Sequence, residues 1–155
     1  MIRKNVREND PNSGRYTLPG GNLDLPEKSL NNLAGRLKAG VRETKEETGL
    51  NLLIPKNRGV ILFDNKDRVF DNWKNPQDFL VYVIQGAFYS GKLKSETEEG
   101  FPCWVDEREI PKLPQNPEDV KMYEWLKDGR FFIGVIKHKG KELDADGTFV
   151  DYFQL

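Results

Sequence analysis

The chain has 155 residues, 37% hydrophobic and 32% charged, and its 24 Lys and Arg against 25 Asp and Glu leave a net charge of −1. That length suits one domain with a sizeable core. Its longest apolar runs, such as Phe79 to Ile84, are far too short to cross a bilayer, and the lack of a basic run argues against a nucleic-acid polymer as partner. The start, Met1-Ile2-Arg3-Lys4, carries no apolar signal-peptide region, and the single cysteine, Cys103, cannot close an internal disulfide. Both features point to a reducing, cytoplasmic setting without membrane attachment.

There is no internal repeat, low-complexity tract or long linker, so residues 1–155 are expected to form a single domain. The first loop is Asn9 to Gly14. A short extended piece, Arg15 to Leu18, leads into Pro19-Gly20-Gly21, where the backbone must turn sharply or approach another group closely. From Ser29 to Thr48 the pattern becomes helical, with Leu30, Leu33, Ala34, Leu37, Val41, Thr44 and Thr48 forming the apolar stripe and Gly49 at the C′ position. Gly59 to Phe63 and Phe79 to Phe88 read as strands, with loops at Asp64 to Lys66 and Asn72 to Gln77. A further short strand is expected at Phe101 to Val105. Pro117 to Lys127 reads as a second helix, opened by Asn116 and closed by Gly129, and Phe131 to Lys137 with Thr148 to Phe153 as a closing hairpin.

The chemistry concentrates at the end of the first helix, Arg42-Glu43-Thr44-Lys45-Glu46-Glu47-Thr48-Gly49-Leu50. At about 100° per residue, Glu43, Glu46 and Glu47 fall within an arc of roughly 100°, about 140° away from the apolar stripe. Three acids crowded near a helix C-terminus repel one another and oppose the helix dipole. The pattern fits a solvated face compensated by Lys38, Arg42 and Lys45. It also fits a site for a hard divalent cation, because Mg²⁺ takes carboxylate oxygens together with substrate phosphates and water.

The glycine turn and this helix end together resemble the Nudix family, whose signature is Gly, five residues, Glu, seven residues, Arg-Glu-x-x-Glu-Glu-x-Gly and an apolar residue. Gly21 and Glu27 match its first half, and Arg42, Glu43, Glu46, Glu47, Gly49 and Leu50 its second. Fourteen residues separate Glu27 from Arg42 instead of seven, so an insertion of seven lies between Lys28 and Leu37. Seven residues are close to two helical turns, about 10.5 Å, so the insertion can lengthen the helix at its start without rotating the acidic face.

The resemblance implies an α/β fold, an α/β/α sandwich with a mixed central sheet and a long catalytic helix. It implies an enzyme that hydrolyses the phosphate chain of a nucleotide with Mg²⁺, or Mn²⁺ in its place. Glu46 and Glu47 are then metal ligands, joined by Glu43, the Gly21 carbonyl and a loop carboxylate, for which Glu99 is the first choice among Glu96, Glu98 and Glu99. Glu43 or Glu46 is the general base, and Arg42 holds Glu43. Gly20 and Glu27 belong to the substrate-facing turn.

The downstream half, from Glu99 through Pro102-Cys103-Trp104, Pro117-Glu118-Asp119 and Phe131-Phe132, resembles the MutT-like branch acting on oxidised purine nucleoside triphosphates such as 8-oxo-dGTP. There an acidic pair after a proline reads the purine edge, the place of Glu118 and Asp119. The same two acids also suit any helix N-terminus. Alternatives are hydrolysis of another nucleoside diphosphate derivative, or a catalytically silent nucleotide-binding domain. Trp73, Trp104 and Trp125 read as core or pocket walls, Cys103 as a buried small hydrophobe, and His138 as part of a hairpin turn.

Family members usually have an apolar strand ahead of the segment that here begins Ile2-Arg3-Lys4. The chain is therefore expected to start inside the second strand, with another element in that sheet position or with an exposed edge. Marginal stability or edge-mediated self-association is the expected consequence, checked by thermal unfolding and sedimentation; a monomer with a high unfolding temperature contradicts it.

Overall fold

The computed structural model describes residues 1–8, 10, 12–24, 28, 33–69 and 77–154. Glu27, Trp73, the start of the first helix at 29–32 and most of the loop expected at Asn72 to Gln77 lie outside them. The elements in chain order are β1 (Ile2–Lys4), β2 (Tyr16–Thr17), α1 (Leu33–Thr48), β3 (Leu50–Arg68), β4 (Phe79–Gly91), β5 (Gly100–Pro102), α2 (Pro117–Lys127), β6 (Phe131–Gly140), β7 (Glu142–Leu143) and β8 (Phe149–Phe153). By internal contacts they divide into two compact units. One is Met1–Lys56 with Gln85–Val120, the other Asn57–Ile84 with Lys121–Leu155.

In the first unit, β1 lies at the centre of a three-stranded antiparallel sheet of order β2-β1-β5. The opening segment therefore has both edges paired: Ile2 faces Thr17 on one side and Pro102 on the other. Ile2 is fully buried, which anchors this small sheet. The strand expected over Phe101 to Val105 instead spans Gly100–Pro102, with one further residue joined to β1 where the Cys103 N–H donates to the Met1 carbonyl.

α1 ends where its sequence says it should, with the Gly49 N–H bonded to the Lys45 carbonyl and Gly49 at φ 81°. A Cβ there would sit 2.6 Å from the Lys92 carbonyl oxygen, so both the left-handed backbone and the close approach of the next segment require glycine. The buried face of α1 differs from the expected stripe. Leu33 and Ala34 are exposed, while Gly35, Ala39, Thr44, Glu47 and Thr48 are buried. Small side chains let this face approach its neighbours closely, and the two threonine hydroxyls bond back to the carbonyls of Gly40 and Thr44, so their burial leaves no donor unpaired.

A five-stranded sheet has the order β4-β3-β6-β7, with β8 also on β6. It is mixed: β3 and β6 run parallel, from Gly59 opposite Phe132 to Arg68 opposite Gly140, while β7 and β8 join β6 antiparallel. The loop expected at Asp64 to Lys66 is instead an irregularity inside β3, with the register shifting between Asp64 and Asp67. The polar residues there read as a turn, but the Asn65 side chain is buried and bonds the Gln77 carbonyl, while the Asn65 N–H donates to the Asp78 carboxylate. His138, expected in a turn, is a buried residue of β6 paired with Leu143, its ring 6.4 Å from that of Phe63. The expected closing hairpin does pair β6 with β8, but β7 intervenes.

The core of the second unit is Ile61, Phe63, Trp125, Phe132 and Ile136. Two glycines make room for its aromatic rings: a Cβ at Gly59 would lie 2.5 Å from the Phe132 ring, and one at Gly134 would lie 2.3 Å from that of Trp125. Trp125 is a core residue as expected, whereas Trp104 is 63% exposed with its ring tilted against that of Tyr89 at 5.0 Å, and Cys103 is only partly buried. Truncating Phe132 to alanine removes the ring that both Gly59 and Trp125 pack against. Phe132→Ala is expected to cost about 3–5 kcal/mol in urea unfolding.

Candidate active site

The site lies in the first unit and is built on the last two turns of α1. Three elements bring oxygen atoms to it: the α1 glutamates, the turn at Gly20-Gly21, and the segment 97–99 that leads into β5. Together Glu43, Glu46, Glu47, Lys94, Thr97, Glu98 and Glu99 line an open cavity of about 530 Å³. Five carboxylates face one space, and four of them, Glu43, Glu46, Glu47 and Glu99, meet a positive partner.

The chain supplies those partners itself. Arg42 donates to Glu43 at 2.8 Å and to Glu46 at 3.1 Å, bonds the Asn22 carbonyl at 2.9 Å, and pairs with Asp24 at 3.2 Å. One guanidinium therefore ties two glutamates of α1 to the segment after the glycine turn, a planar fork that lysine could not replace. Lys4 on β1 holds the other side, with its ammonium 2.8 Å from Glu99 and 3.8 Å from Glu47.

Glu47 departs from expectation. The helical arc put it beside Glu43 and Glu46 on the face opposite the apolar stripe, but it is 7% exposed and accepts the Gly20 N–H at 2.9 Å. Burial pushes its carboxyl above the usual range. The Gly20 N–H and Lys4 pull in the opposite direction, and the nearby Glu99 and Glu43 add to the rise. Glu46 stays largely exposed, and Glu43 is intermediate.

The second glycine of the turn is explained by Glu43: a Cβ on Gly21 would fall 2.4 Å from its carboxylate oxygen. A backbone without a side chain is the condition for this carboxylate to lie against the turn. Gly20 and Gly21 are thus joined to Glu47 and Glu43 respectively.

All the acidic donors are hard oxygens, the ligand type that Mg²⁺ and related cations take, so the lining suits such an ion. Among the described residues, no three His, Cys, Asp or Glu groups are gathered as a finished ligand set. The ion pairs hold these acids in two couples, Glu43 and Glu46 on Arg42 and Glu47 and Glu99 on Lys4.

Glu118 and Asp119, at the start of α2, belong to the same unit. Burial, with repulsion from Glu118, pushes the Asp119 carboxyl up to about 6, against the opposing pull of an Asn116 hydrogen bond and of Lys4 and Arg15. The segment before α2 is tied to β2: the Tyr16 N–H donates to the Pro114 carbonyl and the Arg15 guanidinium to that of Gln115. Two buried polar atoms near that junction, the Thr17 hydroxyl and the Gln115 side-chain oxygen, have no hydrogen-bond partner among the described residues.

The structure thus brings Glu43, Glu46, Glu47, Glu99, Arg42, Gly20 and Gly21 together, while Glu27 lies outside the described residues. Sequence reading missed Lys4, Lys94, Asp24 and Thr17. Lys4 lies 95 positions from Glu99, and only the pairing of β1 with β5 could have revealed the contact.

A model of the NUDIX domain matches residues 1–126. The chain is 28% identical over 122 residues to YvcI, a Nudix hydrolase of Bacillus subtilis, an alignment covering 77% of this chain and 69% of that protein. It is 32% identical over 125 residues to an ADP-ribose pyrophosphatase of Methanocaldococcus jannaschii, covering 79% of this chain and 65% of the relative. The fold superposes on the crystal structure of a MutT protein from Bacillus halodurans with a TM-score of 0.73 at 21% identity, over 97% of this chain and 87% of the other.

Folded Asp119 keeps its proton up to about pH 6, whereas the unfolded carboxyl releases it near 3.8. Between those values the folded form binds more protons, so stability falls as pH rises through the window. Asp119→Asn is expected to remove that slope, gaining about 1–2 kcal/mol over wild type at pH 7 but almost nothing at pH 3.5, read by denaturant unfolding at each pH.

Proposed function

The chain belongs to the Nudix hydrolase family, and from that membership we propose that it is a Mg²⁺-dependent pyrophosphohydrolase acting on a nucleoside triphosphate, with Mn²⁺ able to substitute. The observation that carries the reading is the cavity faced by Glu43, Glu46, Glu47, Glu98 and Glu99 beside the Gly20-Gly21 turn. Glu46, Glu47 and Glu99 would hold the ion, with Glu43 and the Gly21 carbonyl as further candidates. When bound, the ion neutralises phosphate charge and polarises the phosphorus centre under attack.

The remaining work falls to the chain. Water adds to a phosphorus, the oxygen bridging the α- and β-phosphates departs, and the products are the monophosphate and pyrophosphate. Glu43 or Glu46 accepts the water's proton. Arg42, which grips both, fixes their orientation so that either oxygen set faces the cavity. The backbone of Gly20, already donating to Glu47, keeps that buried carboxylate aimed the same way.

An oxidised purine such as 8-oxo-dGTP is the proposed substrate, on the strength of Glu118 and Asp119. A carboxyl with its proton affinity raised to about 6 can present either a donor or an acceptor to a purine edge. The unpaired Thr17 hydroxyl and Gln115 oxygen favour a polar ligand nearby, because buried polar groups left without partners cost free energy. A second reading, hydrolysis of a nucleoside diphosphate derivative, is favoured by the 32% identity to an ADP-ribose pyrophosphatase.

The deciding assay follows Mg²⁺-dependent release of pyrophosphate or phosphate from a panel including 8-oxo-dGTP, dGTP and ADP-ribose. Wild type is expected to prefer the oxidised triphosphate, and Glu46→Gln to lose on the order of 10²-fold in kcat. Preference for ADP-ribose would select the second reading, and absence of turnover by a folded protein would leave a nucleotide-binding domain.

A further inference from the structure

Three basic side chains stand at the carboxylates whose proposed task is to hold a cation, and one of them, Lys94, donates to the Glu46 backbone carbonyl. Arg42 has an evident use there, since it orients Glu43 and Glu46 from the same helix. Lys4 has a different geometry. It reaches in from β1, its side chain is 16% exposed, and it joins acids from two other elements, Glu47 of α1 and Glu99 ahead of β5.

Backbone pairing holds this contact in place. Lys4 lies opposite Gly100 in the β1–β5 ladder, one residue from Glu99, and the Asn5 N–H donates to the Glu99 carbonyl. Gly100 adopts φ 144°, and a Cβ there would fall 2.2 Å from the Arg3 carbonyl oxygen. The approach that sets Glu99 beside Lys4 is therefore available only to glycine. Unlike a flexible surface pair, the ammonium is delivered to these carboxylates by the sheet.

We propose that Lys4 is the resident counter-ion of the carboxylate cavity, and that a divalent cation binds Glu47 and Glu99 by displacing it. Mg²⁺ needs the oxygen lone pairs at about 2.0–2.1 Å, and an ammonium hydrogen-bonded to Glu99 and 3.8 Å from Glu47 blocks the first oxygen and sets a repelling charge beside the second. Lys4 then opposes metal entry while keeping the empty cavity from bursting apart under its own charge. The inference rests on the reading of the cavity as a divalent-metal site.

The test is Mg²⁺ titration calorimetry on the full chain without nucleotide, comparing wild type, Lys4→Met and Lys4→Arg. Lys4→Met is expected to bind Mg²⁺ about tenfold more tightly, with a lower unfolding temperature in the absence of metal, while Lys4→Arg keeps wild-type affinity. Unchanged or weaker binding by folded Lys4→Met overturns the role of Lys4 alone. No Mg²⁺ binding by any of the folded proteins overturns the metal-site reading and this inference with it. Should Lys4→Met fail to fold, wild type decides: the Lys4 side-chain NMR signal, assigned through Lys4→Arg, is expected to shift on Mg²⁺ addition, and a signal unmoved at saturation overturns the proposal.

Discussion

Charge repulsion among clustered carboxylates is the constraint around which the first unit is arranged. Five glutamates face one cavity, and helix geometry crowds three of them together against their own repulsion. Arg42 and Lys4 answer that repulsion from two sides, one from within the helix and one from a strand. Several otherwise unrelated features follow from this requirement. The glycine turn must come close enough for the Gly20 N–H to reach Glu47 and for the Gly21 backbone to lie against Glu43. The β1–β5 ladder must place Lys4 beside Glu99, which needs the left-handed backbone at Gly100.

Local signals in the sequence were enough for some elements and not for others. The bounds of α2 follow from Pro117 as a local start signal and Gly129 as a local stop signal, and the C-terminus of α1 follows from Gly49. The polar run Asp64 to Lys66 read as a loop because it lacks apolar alternation, yet the strand continues through it, since Asn65 finds partners in Gln77 and Asp78 that sequence proximity does not reveal. His138 was misplaced for a related reason: a lone polar residue at the end of an apolar run looks like a turn until β7 folds back beside it.

At the site, the glutamates, Arg42 and the two glycines are legible because their spacing is itself the signature. The division of labour among them is not. Periodicity set Glu47 beside Glu43 and Glu46 on the face away from the apolar stripe, and tertiary contact buried it against a backbone N–H from a segment 27 positions away. Lys4 could not be found at all by local reading, because its partner lies across a three-residue strand pair. Three of the cavity's glutamates and Arg42 thus come from one helix, whereas Lys4 and Glu99 meet only through long-range strand pairing.

The buried face of α1 has a further consequence for how this chain can vary over evolutionary time. Apart from Glu47, nothing on that face is larger than threonine, and both threonine hydroxyls are spent on the helix's own carbonyls. Accepted substitutions there are confined to a narrow band of side-chain volume, since any growth must displace a neighbour that already lies close. Diversification of this helix is therefore channelled to its outer surface, at positions such as Leu33, Ala34, Lys38 and Lys45. Lineages descending from such a chain would drift in what the helix shows to solvent while its inward profile stays almost frozen.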